Sequence, residues 1–239
     1  MSELPIQIDF NPSIDDLEQI LKFTTFPSNN WTEIRKCFDN NAFVIAKTEG
    51  KPIGFIAYKF DTVCIYISIA ETHPDFYNQG IAKRLVAEIC DHYSDSQFKA
   101  LYLYCAPVGT KYAWEKIGFT NYPKGARNNK SEVYMYRIFG DVCKVKRVGI
   151  TEENLQNAIM IYDTETPRDG DSAKWYAEVE FFEGTNKLKK PLLFFGNDKW
   201  QIKIKRDGFE IVKGRYSDYD KKSSIYECLY IDVLKVSLT

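Results

Sequence analysis

The sequence predicts an α/β (α+β) chain in two parts: a mixed sheet flanked by helices over residues 1–140, then a small, mostly β domain over residues 141–239. Three observations carry this reading. Two near-continuous apolar runs, residues 63–70 (VCIYISIA) and 100–105 (ALYLYC), are what strands buried in the middle of a sheet require. Between them, Ile81, Leu85, Ile89 and Tyr93 recur every four residues with Ala82, Val86 and Cys90 alongside, the pattern of an amphipathic helix. After about Phe139 helical spacing gives way to short strand-like stretches punctuated by glycine.

The remaining elements follow in order. Residues 6–10 alternate and suit a first strand. Ser13 is placed to cap a helix, Asp15 and Asp16 fall where the helix dipole favours acids, and Ile14, Leu17, Ile20 and Leu21 supply its apolar stripe. Pro27-Ser28-Asn29-Asn30 reads as a break and residues 31–38 as a second short helix. Residues 42–47 and 53–60 read as strands joined by a Glu49-Gly50-Lys51-Pro52 turn. Pro74 ends the central strand, residues 112–117 suit a short helix closed by Gly118, and residues 133–138 a further strand. In the second part, residues 151–161 are expected to form a helix opened by Thr151. Strands are expected over 175–182, 192–195, 200–205, 209–213 and 225–236, with Asp207-Gly208 as a hairpin turn.

Composition narrows the function classes. With 32 basic and 33 acidic residues in 239, the net charge of -1 gives no basis for binding nucleic acid or a membrane surface. No stretch approaches the ~20 apolar residues of a membrane span, and the opening MSELPIQIDF is not a secretory signal. Six cysteines without a CxxC pair, most of them inside apolar runs, point to a reducing, cytoplasmic setting. The two histidines, His73 and His92, lack ligand spacing, so no metal is expected; His73 reads as a turn residue and His92 as a surface one.

Chemistry concentrates in PDFYNQGIAKRL, residues 74–85, between a buried strand and an amphipathic helix. Amides at a helix N-terminus are unsatisfied and carry the positive end of the dipole. A pyrophosphate can sit there if no side chain blocks it; Gly80 and Ala82 are suitably small, and Lys83 and Arg84 add charge. An ordinary helix start would also accept these residues, and neither a Walker loop nor a GxGxxG fingerprint is present. The next buried strand is followed by KYAWEKIGF, residues 111–119. The order of these pieces resembles the GNAT N-acetyltransferases over roughly residues 4–138. Tyr77-Asn78-Gln79-Gly80-Ile81-Ala82 lies over the family's Arg/Gln-x-x-Gly-x-Gly/Ala loop, and Trp114-Glu115-Lys116-Ile117-Gly118-Phe119 over its Tyr-Glu-Lys-Leu-Gly-Phe helix end.

The resemblance implies acetyl-CoA as acyl donor, bound where the strands over 63–71 and 100–105 splay apart. Its pantetheine would bond backbone near Ala70, Glu71 and Thr72. Its pyrophosphate would meet the segment Tyr77, Asn78, Gln79, Gly80, Ile81, Ala82 and Lys83, with Pro107 and Trp114 also beside the cofactor. It implies direct transfer of the acetyl group to a primary amine, which needs a base for the amine proton and, commonly, a tyrosine to protonate the thiolate. Glu71, at the end of the central strand, is the candidate base; a solvated strand-end carboxylate is the alternative. Two positions depart from the family pattern. Tyr77 replaces Arg or Gln, and Trp114 stands where the acidic tyrosine often sits, and an indole cannot serve as an acid. Tyr102, Tyr104 and Tyr112 are the tyrosines left, with packing as their alternative role; Tyr112 points to the opposite helix face from Trp114. These departures leave a second reading open, a catalytically impaired acyl-CoA-binding or interaction module. The acceptor is a small-molecule or protein amine, and the second part, which resembles no known family, could cover the acceptor side or form a homodimer. Its alternating KWQIKIKR (199–206) reads as a half-buried strand with a solvated face, or alternatively as a basic docking patch.

Overall fold

The computed structural model describes residues 5–127, 133–147, 155–168, 171–219 and 228–234. The chain divides into two compact units, residues 1–121 with 132–140, and residues 122–131 with 141–239. Residues 122–127 thus group with the second unit.

The first unit runs β1 (Gln7–Asp9), α1 (Ile14–Phe23), α2 (Ser28–Asp39), β2 (Phe43–Thr48), β3 (Lys51–Phe60), β4 (Cys64–Thr72), α3 (Ile81–His92), β5 (Ala100–Tyr104), α4 (Lys111–Lys116), β6 (Thr120–Asn121) and β7 (Tyr134–Ile138). The strands form one sheet in the order β1-β2-β3-β4-β5-β7-β6, in which β4 and β5 are parallel and every other pair antiparallel. Local chemistry sets the elements. The Ser13 hydroxyl accepts from the Asp16 amide at 3.2 Å while Asp16 accepts from the Ser13 amide at 2.8 Å, a reciprocal cap that starts α1. Lys47 on β2 then bonds Asp16 at 2.8 Å and Asp9 at 3.0 Å, fastening the start of α1 to the sheet edge. Glu49 and Gly50 both have positive φ, 49° and 75°, which makes the two-residue turn that matches strand twist between β2 and β3. α2 starts at Ser28, three residues before the sequence suggests: Pro27 supplies the extended N-cap, and Ser28-Asn29-Asn30 are the first turn rather than a break.

Both faces of the sheet are covered. Ile81, Leu85, Val86 and Ile89 of α3 pack with Ile56, Ile65, Ile67, Leu101 and Leu103 on one face. Leu17, Ile20 and Leu21 of α1 and Ile34 and Cys37 of α2 pack with Phe43, Ile45, Phe55 and Ile69 on the other. Ile65, Ile67 and Ile69 therefore do not share a face, although period-two alternation would put them together. In the β3–β4 ladder Tyr58 pairs with Ile67 and Ala57 with Ile69, so Ser68 is an extra residue, a bulge that inverts the alternation of β4 beyond it.

The second unit contains β8 (Lys146–Arg147), β9 (Ala158–Ile161), β10 (Trp175–Glu178), β11 (Lys187–Phe194), β12 (Gln201–Arg206), β13 (Phe209–Arg215), α5 (Tyr216–Tyr219) and β14 (Leu229–Val233). Five strands form an antiparallel sheet, β13-β12-β9-β10-β8, and β11 pairs with β14. Ile159, Ile161, Ile202 and Ile204 share a core with Leu192, Phe194, Leu229 and Ile231, to which Trp200, stacked on Trp175 at 5.3 Å, is added. The helix expected over 151–161 is not formed where the chain is described: 158–161 is strand β9, and 151–154 lie outside the described residues. Ala158, Ile159, Met160 and Ile161 are all fully buried, and an apolar run buried on both faces carries no alternation to distinguish strand from helix. Asp207 and Gly208, at φ 52° and 84°, make the expected β12–β13 hairpin turn. Three lysines of this unit pair with acids: Lys189 meets Glu180 at 2.8 Å, Lys190 meets Asp141 at 2.7 Å and Lys203 meets Glu210 at 3.2 Å.

Candidate functional site

The bulge in β4 builds the site. β4 and β5 pair in parallel from Cys64 with Ala100 as far as Ile67 with Leu103, and there the ladder stops. β4 continues to Thr72 while β5 ends at Tyr104, so the β4 edge that faced β5 pairs with no strand beyond the bulge. The opening holds a groove of about 520 Å³. Ala82, Leu85 and Trp114 line it on the α3 side of the sheet, and Thr25, Phe26, Tyr66 and Tyr104 on the α1–α2 side.

At the α3 end lies the glycine loop. Asn78 and Gly80 both take positive φ, 62° and 78°, and Gly80 is the N-cap of α3. The first backbone bond into the helix runs from the Arg84 amide to the Gly80 carbonyl at 3.0 Å. Among the described residues the amides of 78 to 83 donate to no protein acceptor, and no side chain caps the helix. A Cβ on Gly80 would meet nothing within 4 Å, so the space before these amides is open. Lys83 and Arg84 stand exposed in the first turn. Six free amides, the positive helix end and two cations form an anion cradle without a large side chain over it. Gly54 on β3 is what lets the helix start come this close: a Cβ there would sit 2.9 Å from Ile81 Cγ2 and 3.2 Å from the Glu71 carbonyl oxygen.

Glu71 lies past the bulge and so belongs to the α1–α2 face. Its carboxylate accepts from the hydroxyl of Thr24, from the Thr25 amide at 2.9 Å and from the Thr25 hydroxyl at 2.6 Å. These donors are neutral, and among the described residues no cation pairs with it. The carboxylate is therefore positioned rather than neutralised, with about one of its four acceptor sites left over. Ser68 donates to Glu33 at 3.0 Å, and Glu33 also holds Lys59 at 2.6 Å. Burial pushes the Glu33 carboxyl up, but the Lys59 and Ser68 bonds outweigh it and hold it below the usual range.

A search against protein families matches residues 11–119 to the acetyltransferase (GNAT) family. Residues 11–119 are a GNAT acetyltransferase domain. No curated protein matches the chain. Among solved structures, a GNAT-family acetyltransferase from Bacillus cereus is 20% identical with a TM-score of 0.46, covering 56% of this chain and 97% of its own. One from Staphylococcus aureus is 15% identical with a TM-score of 0.47, covering 56% and 99%. PaiA N-acetyltransferase from Thermoplasma acidophilum, solved with coenzyme A, is 18% identical with a TM-score of 0.45, covering 57% and 100%. GNAT proteins use acyl-CoA and are typically N-acetyltransferases.

Within the GNAT domain the residues singled out in the sequence separate into groups. Ala70, Glu71, Thr72, Tyr77, Ala82, Tyr104, Pro107 and Trp114 line the groove. Asn78, Gln79, Gly80 and Lys83 form the cradle beside it, while the Ile81 side chain is buried in the core and contributes its amide alone. Two of the tyrosines do not line the groove. Tyr102 is buried, packs at a tilt against the Tyr66 ring at 5.0 Å and donates to Asp61 at 3.3 Å; burial pushes its hydroxyl pKa up. Tyr112 is two-thirds exposed, with the Lys116 ammonium 4.3 Å over its ring. Trp114 packs edge-on against Phe119 at 5.2 Å on the groove wall. His73 accepts from the Asp75 amide and caps the turn 74–76. Thr24, Thr25, Gly54 and Ser68 are functional neighbours that sequence reasoning misses. A lone glycine in β3 signals close backbone approach, and a lone serine in VCIYISIA is the one polar break in a buried run.

Among the described residues no helix is long and apolar enough to cross a membrane, and no group of three His, Cys, Asp or Glu side chains is placed to hold a metal.

Proposed function

We propose that the 1–140 region transfers the acetyl group of acetyl-CoA to a primary amine by direct attack. The observation that carries this is the groove through the parted β4 and β5 strands with the open amide cradle at its α3 end. In this reading the pyrophosphate rests on the amides of 78 to 83, and the pantetheine replaces β5 along the unpaired edge of Ala70, Glu71 and Thr72. The thioester then lies at the bulge, facing the α1–α2 side, where the amine enters. The amine nitrogen bonds to the carbonyl carbon, the C–S bond breaks, and the amine proton passes to Glu71 directly or through water. Tyr104, on the groove wall, returns a proton to the departing thiolate. The cytoplasmic setting read from the sequence stands with this proposal, as does a separate role for the second unit.

Trp114 favours a second reading, an acyl-CoA-binding module without turnover, because an indole occupies the common place of the acid. Thermal shift with acetyl-CoA followed by thiol release over an amine panel separates the two. Amine-dependent release supports transfer, a shift without release on any amine supports the module, and no shift at millimolar acetyl-CoA contradicts both. Gly80→Glu places a carboxylate in the cradle, where repulsion of one unit charge at ~5 Å amounts to about 3 kcal/mol, roughly two decades of affinity. Gly80→Ala controls for the positive φ and should retain binding.

A further inference from the structure

The α1–α2 half of the groove carries its own chemistry. Glu71 is the one charged side chain lining the groove, and no Lys, Arg or His lines it among the described residues. Its hydrogen-bond donors are the neutral groups of Thr24 and Thr25, so its charge is undiminished. On that face Lys59 is held by Glu33 at 2.6 Å, and Glu33 also accepts from Ser68 at 3.0 Å. Tyr66, Tyr104 and Phe26 supply aromatic walls. The hydroxyls of Tyr66 and Tyr104 and the side-chain amide of Asn30 have no hydrogen-bond partner among the described residues, so all three are available to a ligand.

We infer that the acceptor is a small aliphatic primary amine bearing no carboxylate or phosphate, such as an alkyl diamine, rather than a free amino acid. This rests on the transfer reading given above. A carboxylate beside Glu71 would face an unscreened like charge and find no cation to pair with. An alkylammonium instead meets one carboxylate, two tyrosine faces that attract cations, and three neutral polar groups. Glu71 thus selects the substrate as well as accepting its proton, and Tyr66, Tyr104 and Asn30 set the fit of the chain behind the amine.

Matched pairs differing by one carboxylate test this: cadaverine against lysine, putrescine against ornithine and tyramine against tyrosine, each with acetyl-CoA and the full-length protein. The expected result is that the amine of each pair has a kcat/KM at least tenfold above its amino acid. Amino acids acetylated as well as or better than their amines overturn the inference and leave the transferase reading intact; release of CoA with neither member overturns both. Asn30→Lys adds a cation to this wall without touching Glu71 or Tyr104. It should lower the cadaverine-to-lysine ratio at least fivefold, chiefly through KM, and an unchanged ratio counts against the assignment of this wall to the acceptor.

Discussion

Gly54→Ala is a one-methyl perturbation whose consequence follows from two distances. The added Cβ would lie 2.9 Å from Ile81 Cγ2 and 3.2 Å from the Glu71 carbonyl oxygen, against the ~3.5–4.0 Å at which carbon atoms pack best. Neither neighbour yields easily. Ile81 is a buried, β-branched residue in the first turn of α3, and the Glu71 carbonyl belongs to the β3–β4 ladder, where Phe55 pairs with Glu71 and Gly54 with Thr72. Overpacking of this kind costs about 1–3 kcal/mol, and the lost freedom of the unfolded glycine returns about 0.4–1 kcal/mol, leaving a net loss near 1–2 kcal/mol. Urea unfolding of the variant reads that number. The strain also falls on the residue that presents the first helical amide of the cradle, so acetyl-CoA affinity by isothermal titration should weaken roughly tenfold, as ~1.4 kcal/mol would give. A variant as stable as wild type, binding acetyl-CoA with unchanged affinity, would refute the claim that Gly54 sets the seat of α3.

The two neighbouring tyrosines of β5 should separate cleanly. Tyr104→Phe is expected to lower kcat about a hundredfold at near-unchanged stability, whereas Tyr102→Phe should leave kcat in place and cost about 1 kcal/mol with the Asp61 bond. Stability should fall on acidification. For Asp16, burial raises the carboxyl, but the Lys47 and Ser13 bonds outweigh it, so Asp16 and Glu33 both fold with pKa values below their ordinary 3.8 and 4.5. Their contribution is fully present above those values and is lost as pH falls through the lower folded ones, so the Asp16→Asn, Glu33→Gln double variant should show a flatter stability profile below about pH 4.5. The thiols should be silent in the native protein. All six cysteines are buried thiols and none is joined in a disulfide, and burial pushes Cys37 up to about 12 and Cys90 up to about 11. A thiol reagent at pH 8 should therefore find under about one equivalent natively and six after denaturation.

The parts of this fold that a sequence discloses are those where one residue type has one cause. VCIYISIA and ALYLYC announce central strands because continuous burial on both faces demands it, and the four-residue spacing from Ile81 announces α3. The cradle is legible for the same reason: a left-handed N-cap and open access both call for glycine at 80. What stays hidden depends on partners distant in sequence. No local signal places Thr24 and Thr25 against Glu71, some 46 residues away, and only the β3 register shows that Ser68 inverts the strand and turns Glu71 to the α1–α2 face. Ser28-Asn29-Asn30 misleads because residues that favour turns also favour the first turn of a helix. Ala158-Ile159-Met160-Ile161 misleads because full burial erases periodicity.

The central claim is that the parted β4–β5 strands and the glycine loop together form an acyl-CoA site. Isothermal titration of acetyl-CoA into the wild-type protein and into Gly80→Glu tests it most directly. One site per chain is predicted, with a Kd below about 100 μM, roughly −5.5 kcal/mol, weakened about a hundredfold in the variant. No binding by the wild type at millimolar acetyl-CoA, or equal binding by both proteins, would contradict it.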